Sequence, residues 1–127
     1  MTASFEDLGL SRELLKAVED LGFEEPSPIQ ILAILSLLAG RDALGQAQTG
    51  TGKTAAYLLP ALQHLLDFPR KKSGPPRILI LTPTRELAAQ VGESVATYGA
   101  HLPFKSLVIF GGVSMNPQIS ALRKGVD

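Results

Sequence analysis

The sequence has no cysteine and no tryptophan, and aromatic residues fill only 6% of its 127 positions. Without cysteine there is neither a disulfide framework nor a thiolate metal site, which points to a reducing, cytoplasmic setting. The two histidines, His64 and His101, have no neighbours at metal-ligand spacing, so no metal chemistry is expected of them. Net charge is also absent: twelve basic residues cancel twelve acidic ones, and no global field draws the chain towards nucleic acid. The apolar run from Ile29 to Ala39 is far too short to span a bilayer. The first residues, Met1 to Asp7, carry no basic stretch and no apolar core. Neither a signal peptide nor a membrane partner is therefore expected.

What is present describes a globular chain. Hydrophobic residues make up 45% of the sequence and mean hydropathy is +0.18, enough for one domain or part of one. Charge is uneven only at Arg70, Lys71, Lys72 and Arg77, which surround Ser73-Gly74-Pro75-Pro76 and read as a solvated loop.

The chain is organised around Ala47-Gln48-Thr49-Gly50-Thr51-Gly52-Lys53-Thr54. Gly50 and Gly52 lack a Cβ, so the backbone can turn tightly and aim several N–H groups into one hollow. Lys53 and Thr54 open a helical run to Leu66, whose N-terminus adds partial positive charge to that hollow. Such a hollow suits a polyphosphate, with Lys53 reaching the β- and γ-phosphates and the Thr54 hydroxyl on Mg²⁺. Ala47 stands where the usual pattern begins with glycine. Without a ligand, the same stretch would be a glycine-rich turn that starts a helix.

Around this loop the chain alternates. Ser11 caps a helix over Arg12 to Leu21, with Leu14, Leu15 and Val18 on one face. Ser27 and Gln30, three apart with Pro28 between them, form a capping box that opens a helix to about Leu38. That helix is apolar almost all round and is expected to be covered on most of its circumference. Asp42–Gln46, Arg77–Thr82 and Ser106–Phe110 read as strands, the second buried on both faces. Thr84 caps a helix to Tyr98, and Asn116-Pro117 starts a last short one. Strand and helix in alternation predict an α/β fold, a parallel sheet with helices on both faces, preceded by an N-terminal helical extension. The expected boundary puts the helical segment at 1–40 and the sheet domain at 41–127.

Several stretches in order resemble the motifs of DEAD-box ATP-dependent RNA helicases: Phe5; Gly22-Phe23, Pro26 and Pro28-Ile29-Gln30; Ala47 to Thr54; Pro83-Thr84-Arg85-Glu86-Leu87; and Gly111-Gly112. The resemblance implies a partial RecA-like P-loop domain that binds ATP or ADP with Mg²⁺, and RNA in the intact protein. Gln30 would read the adenine edge, Phe23 would pack on the base, and Phe5 would help to hold the pocket. Thr49, Gly50, Thr51 and Gly52, with Lys53 and Thr54, would hold phosphates and metal. Pro83, Thr84, Arg85, Glu86, Gly111 and Gly112 would line an RNA backbone path. For Gln30, capping and base reading stand side by side, because different atoms can serve each. For Arg85-Glu86 and Gly111-Gly112 an ordinary helical turn and a strand-ending turn are the structural alternatives; Phe5 and Phe23 could equally be core residues. Leu35 departs from the family pattern, which has proline there.

Hydrolysis also needs a carboxylate on Mg²⁺ and one to orient water, normally at the end of an apolar strand. The strands ending at Thr82-Pro83 and Gly111-Gly112 supply neither, and Asp127 follows no strand. The chain alone is therefore expected to lack hydrolysis, with an open sheet edge prone to self-association. The competing readings are another P-loop NTPase or kinase, and a non-catalytic, self-associating module. No Asn-Lys-x-Asp stretch is present to read guanine.

Overall fold

Helices form where a capping residue precedes an apolar period. The computed structural model describes residues 3–48, 50, 52–72 and 74–127. Among these it has α1 (Arg12–Asp20), α2 (Pro28–Leu38), α3 (Lys53–Asp67), α4 (Arg85–Tyr98) and α5 (Asn116–Lys124). In α1 the buried residues Leu14, Ala17 and Val18 follow the helical period. The α4 N-cap is explicit: the Leu87 N–H donates to the Thr84 hydroxyl at 3.2 Å. At α5, Asn116 is already helical and Met115 takes the cap position, one residue earlier than expected. A 3₁₀ turn at Phe5–Leu8, not foreseen from the sequence, is fastened by Ser4, whose N–H and hydroxyl both donate to the Asp7 carboxylate at 3.0 Å. The backbone hydrogen bond from Ser4, and then the one from its side chain, hold the Asp7 carboxyl below its ordinary value.

The core joins the N-terminal segment to α3. Leu14, Ile34, Leu58, Leu59 and Leu65 are its largest fully buried side chains, and Phe5, Leu8 and Leu10 close over them. Truncating any one of the five leucine or isoleucine side chains to alanine costs about 2–5 kcal/mol in a packed interior. Helix α2 packs mainly on α3. Only one side of it is covered: Gln30 and Ile34 are buried, while Leu32 and Leu35 stay exposed. The expectation of an almost fully covered helix was wrong, because α3 and the Phe5–Leu8 turn together leave the Leu32 and Leu35 side open.

No β-strand is formed among the described residues. The three stretches read as strands, Asp42–Gln46, Arg77–Thr82 and Ser106–Phe110, carry no regular structure. A parallel ladder needs a run of paired backbone groups on a neighbouring strand, and among the described residues only Asp127 bonds backbone to both the 77–78 and the 105 positions. Its carbonyl accepts from the Arg77 and Ile78 N–H groups at 2.8 and 3.0 Å, and its own N–H donates to the Lys105 carbonyl at 2.8 Å. No backbone hydrogen bond joins residues 79–82 to 106–109 among the described residues. Between them lies a cavity of about 630 Å³ lined by Leu58, Leu62, Ile80, Val91, Val95 and Val108. The 77–82 stretch was expected to be buried on both faces. It has one covered face: Ile78 and Ile80 are partly buried against the core, whereas Leu79 and Leu81 are 81% and 84% exposed. Leu44, in the first of the three stretches, is 92% exposed.

The basic cluster divides in two. Lys71 and Lys72 are exposed, as a solvated loop requires. Arg70 and Arg77 instead converge on the Asp127 carboxylate at 3.4 and 3.5 Å, and Arg70 also donates to the Val126 carbonyl at 3.1 Å. These contacts pin the end of the described chain beside the 77–78 backbone. No helix among the described residues is long and apolar enough to cross a membrane.

Candidate functional site

Two pairs of stretches that lie far apart in sequence meet in space. The first pair is the Ser27–Gln30 box and the glycine loop. Gln30 is only 5% exposed. Its Oε1 accepts the Ser27 N–H at 2.9 Å, the return arm of the capping box, and its Nε2 donates to the Gly52 carbonyl at 3.2 Å. Both ends of the amide are thus bonded, yet each keeps one further valence: a second N–H and a second lone pair. Capping and recognition are compatible at this residue because different valences serve them.

Gly52 answers two constraints. Its φ of 85° lies in the left-handed region, and a Cβ there would collide with the Gln30 amide nitrogen. Gly50 has a similar φ of 87° but open space around it. Lys53 follows Gly52 as the first residue of α3 and is exposed, and Thr54 is half-buried beside it. The α3 N-terminus therefore presents an ammonium and a hydroxyl in its first turn, with unpaired backbone N–H groups expected there. Thr49 and Thr51, also read as phosphate-loop residues, lie outside the described residues.

The second pair is the start of α4 and the glycine turn after residue 110. A Cβ at Gly112, whose φ is 74°, would collide with the Arg85 guanidinium, so the arginine lies across the glycine. Pro83, Thr84, Arg85, Glu86, Gly111 and Gly112 are all exposed. Thr82 and Thr84 hydroxyls are used locally: Thr82 donates to the Thr84 carbonyl at 3.2 Å, and Thr84 caps α4. The Phe110 N–H donates to Gln118 of α5 at 2.8 Å, fixing the approach to the glycine turn.

The two aromatic candidates are not beside the glycine loop's open side. Phe5 is buried in the core with Leu8, Leu14 and Ile34. Phe23 is partly exposed and borders a cleft of about 300 Å³ with Leu21, Gln90, Glu93 and Tyr98, whose lining includes no residue of the phosphate loop. His101 pairs through Nε2 with Asp20 at 2.9 Å, and that hydrogen bond, ahead of the one from Lys16, holds the Asp20 carboxyl below its ordinary value. Sequence reasoning missed one polar residue altogether. Gln63, 7% exposed on α3, accepts the Ser11 N–H at 2.7 Å and donates to the Asp67 carboxylate at 2.9 Å. A glutamine on an otherwise apolar helix face was its only signal.

The chain as a whole is similar to known proteins. The family model described as DEAD/DEAH box helicase matches residues 27–127. The chain is 61% identical to the ATP-dependent RNA helicase SrmB of Escherichia coli (strain K12) over 87% of its own length, which is 25% of that protein. It is 50% identical to the ATP-dependent RNA helicase DeaD of the same organism, over 96% of this chain and 19% of the relative. Among solved structures, Prp28 from Chaetomium thermophilum bound to ADP superposes with a TM-score of 0.84 at 44% identity, covering 98% of this chain and 30% of that one. A DEAD box protein from Methanococcus jannaschii gives 0.85 at 35% identity, covering 97% and 33%. The chain thus spans about a quarter or less of the length of these two curated relatives. The match sets the kinase and GTPase alternatives aside, and the chain belongs to the DEAD/DEAH box helicase family.

Proposed function

We propose that the chain binds ATP or ADP at the Gln30–Gly52–Lys53 corner and forms the nucleotide-holding part of an ATP-dependent RNA helicase. The contact that carries the reading is the hydrogen bond from Gln30 Nε2 to the Gly52 carbonyl at 3.2 Å. It fastens the residue that can read a base to the loop that can hold phosphates. In this reading Gln30 offers its remaining N–H and lone pair to the adenine edge, Phe5 supports that side only from within the core, and Phe23 would have to leave its separate cleft to meet the base. Gly50, Gly52, Lys53 and the neighbouring Thr49 and Thr51 hold phosphates. Thr54 contributes one hydroxyl oxygen to Mg²⁺. Since no cluster of three or more histidine or acidic side chains that could hold a metal occurs among the described residues, the ion would be held chiefly by the triphosphate.

RNA is the proposed second ligand, on the exposed face formed by Pro83–Glu86 and Gly111–Gly112. The Arg85–Gly112 approach supports this, because it sets a guanidinium over a backbone turn that a phosphate can reach. The proposed division is a helical segment at 1–40 and a RecA-like unit at 41–127, acting in the cytoplasm. The unit's parallel sheet would use the Asp42–Gln46, Arg77–Thr82 and Ser106–Phe110 stretches, and the Asp127 backbone, bonded to Arg77, Ile78 and Lys105, supports bringing the last two together.

Base choice is the direct test. Gln30→Glu keeps an acceptor for the Ser27 N–H but loses the amide donor and adds a charge near the phosphates. Nucleotide titrations are expected to give ATP preference over GTP in the parent chain and a preference at least fivefold smaller in the variant. An unchanged preference would leave Gln30 as a cap alone.

A further inference from the structure

The cavity of about 630 Å³ is walled on two sides by strand-like backbone, residues 78–82 and 105–109. Both walls start at the same end. The Asp127 carbonyl accepts from the Arg77 and Ile78 N–H groups, and the Asp127 N–H donates to the Lys105 carbonyl. The two stretches therefore leave one residue side by side and run in the same direction along the cavity. Past that end the pairing stops: among the described residues no hydrogen bond reaches the backbone N–H and C=O groups of 79–82 or 106–109. The floor is apolar, with Leu58, Leu62 and Leu65 of α3 at most 4% exposed and Val91 and Val95 of α4 beside them. Val108 leans on the same floor, so close to Gly92 that a Cβ there would meet its Cγ2 at 2.5 Å. The opposite side is apolar too, since Leu79, Leu81 and Ile109 all point away from the core and are exposed.

These walls and this floor make different demands. A small apolar ligand would cover the floor and leave two rows of backbone groups without partners. A polar ligand would pair the rows and set polar atoms against leucine and valine. An extended polypeptide meets both demands, because its N–H and C=O groups lie in the plane of the walls while its side chains alternate above and below. With apolar surface on both sides, the fitting sequence is an unbroken apolar run, as in a parallel strand covered on both faces. We propose that this slot docks one extended, unbroken apolar polypeptide segment from outside the 127 residues, as a strand parallel to both walls and starting beside Asp127. The wall positions 78–82, at about 3.3 Å per residue, set its length at about five residues. Valine and isoleucine suit it best, since β-branched side chains pack well on a pleated surface.

The test uses the whole chain and two acetylated, amidated peptides. One is Lys-Lys-Val-Ile-Val-Ile-Val-Lys-Lys, and the other has the same sequence with its three valines N-methylated, which blocks the N–H row facing one wall. Hydrogen exchange is followed amide by amide by NMR. The plain peptide is expected to slow exchange about tenfold or more in both 79–82 and 106–109, and the N-methylated peptide to change it by less than about twofold. Val108→Lys, which sets a charge against the floor, should abolish the protection; should that variant fail to fold, the two peptides decide alone. Unchanged exchange with the plain peptide, equal protection by both peptides, or protection of only one wall would each overturn the proposal. Amides already protected in the free chain, with protection lost on dilution, would put a second copy in the slot and overturn it as well.

Discussion

Gly52 must turn left-handed and must also leave room for the Gln30 amide. The first demand was legible in the sequence, because glycine in a phosphate-type loop is there for its backbone. The second was not, since it depends on which residue of α2 reaches the loop across 22 positions. Gly50 shares the left-handed φ without the crowding, so the two glycines separate strain from collision. Placing an alanine in left-handed backbone costs about 1–2 kcal/mol. Gly50→Ala should lower the melting temperature by a few degrees, and Gly52→Ala by roughly twice as much. Thermal unfolding followed by circular dichroism measures both. In a Gln30→Ala background the extra cost of Gly52→Ala should vanish, and its persistence would mean that the collision is not with Gln30. Gln63 marks the limit of residue-scale reading. Its partner Ser11 lies 52 positions away, and no spacing rule reaches that far.

The helices were legible because their signals are local. A cap, a proline in the first turn and an apolar period lie within a dozen residues, and the bounds of α2 and α4 follow from Ser27-Pro28 and Thr84. The strand stretches were legible as apolar runs, but a strand is made by its neighbour, and among the described residues only Asp127 pairs on both sides. The same contrast explains the half-covered faces. Ile78 and Ile80 meet the core while Leu79 and Leu81 face outward. Leu79→Lys should therefore change stability by no more than about 0.5 kcal/mol, the usual range for a surface site. Ile80→Lys, which sets a charge against α3 and α4, should cost several times as much. Denaturant unfolding of both variants is the measurement. A loss above about 2 kcal/mol for Leu79→Lys would mean that the outward face is covered in solution.

For the whole molecule, the outward leucines and the 630 Å³ cavity leave apolar surface around an unfinished ladder, the kind of surface that recruits a partner. With no net charge to oppose association, the chain is expected to self-associate, and Leu79→Lys/Leu81→Lys to shift it towards monomer in light scattering. Oligomers that persist unchanged in that double variant would move the contact elsewhere, with the exposed Leu32 and Leu35 of α2 as the next candidates. Phosphate release with and without RNA should stay at background, because no carboxylate stands beside Lys53 and Thr54 among the described strand-like ends. The central claim, a phosphate-holding corner between Gln30, Gly52 and Lys53, is tested most directly by titrating the parent chain and Lys53→Ala with ATP and with adenosine. Lys53 is exposed at the α3 N-terminus, where the proposed site puts the phosphates and not the base. The variant should lose at least tenfold in ATP affinity and keep its adenosine affinity, whereas equal losses for the two ligands, or none for either, would contradict the account.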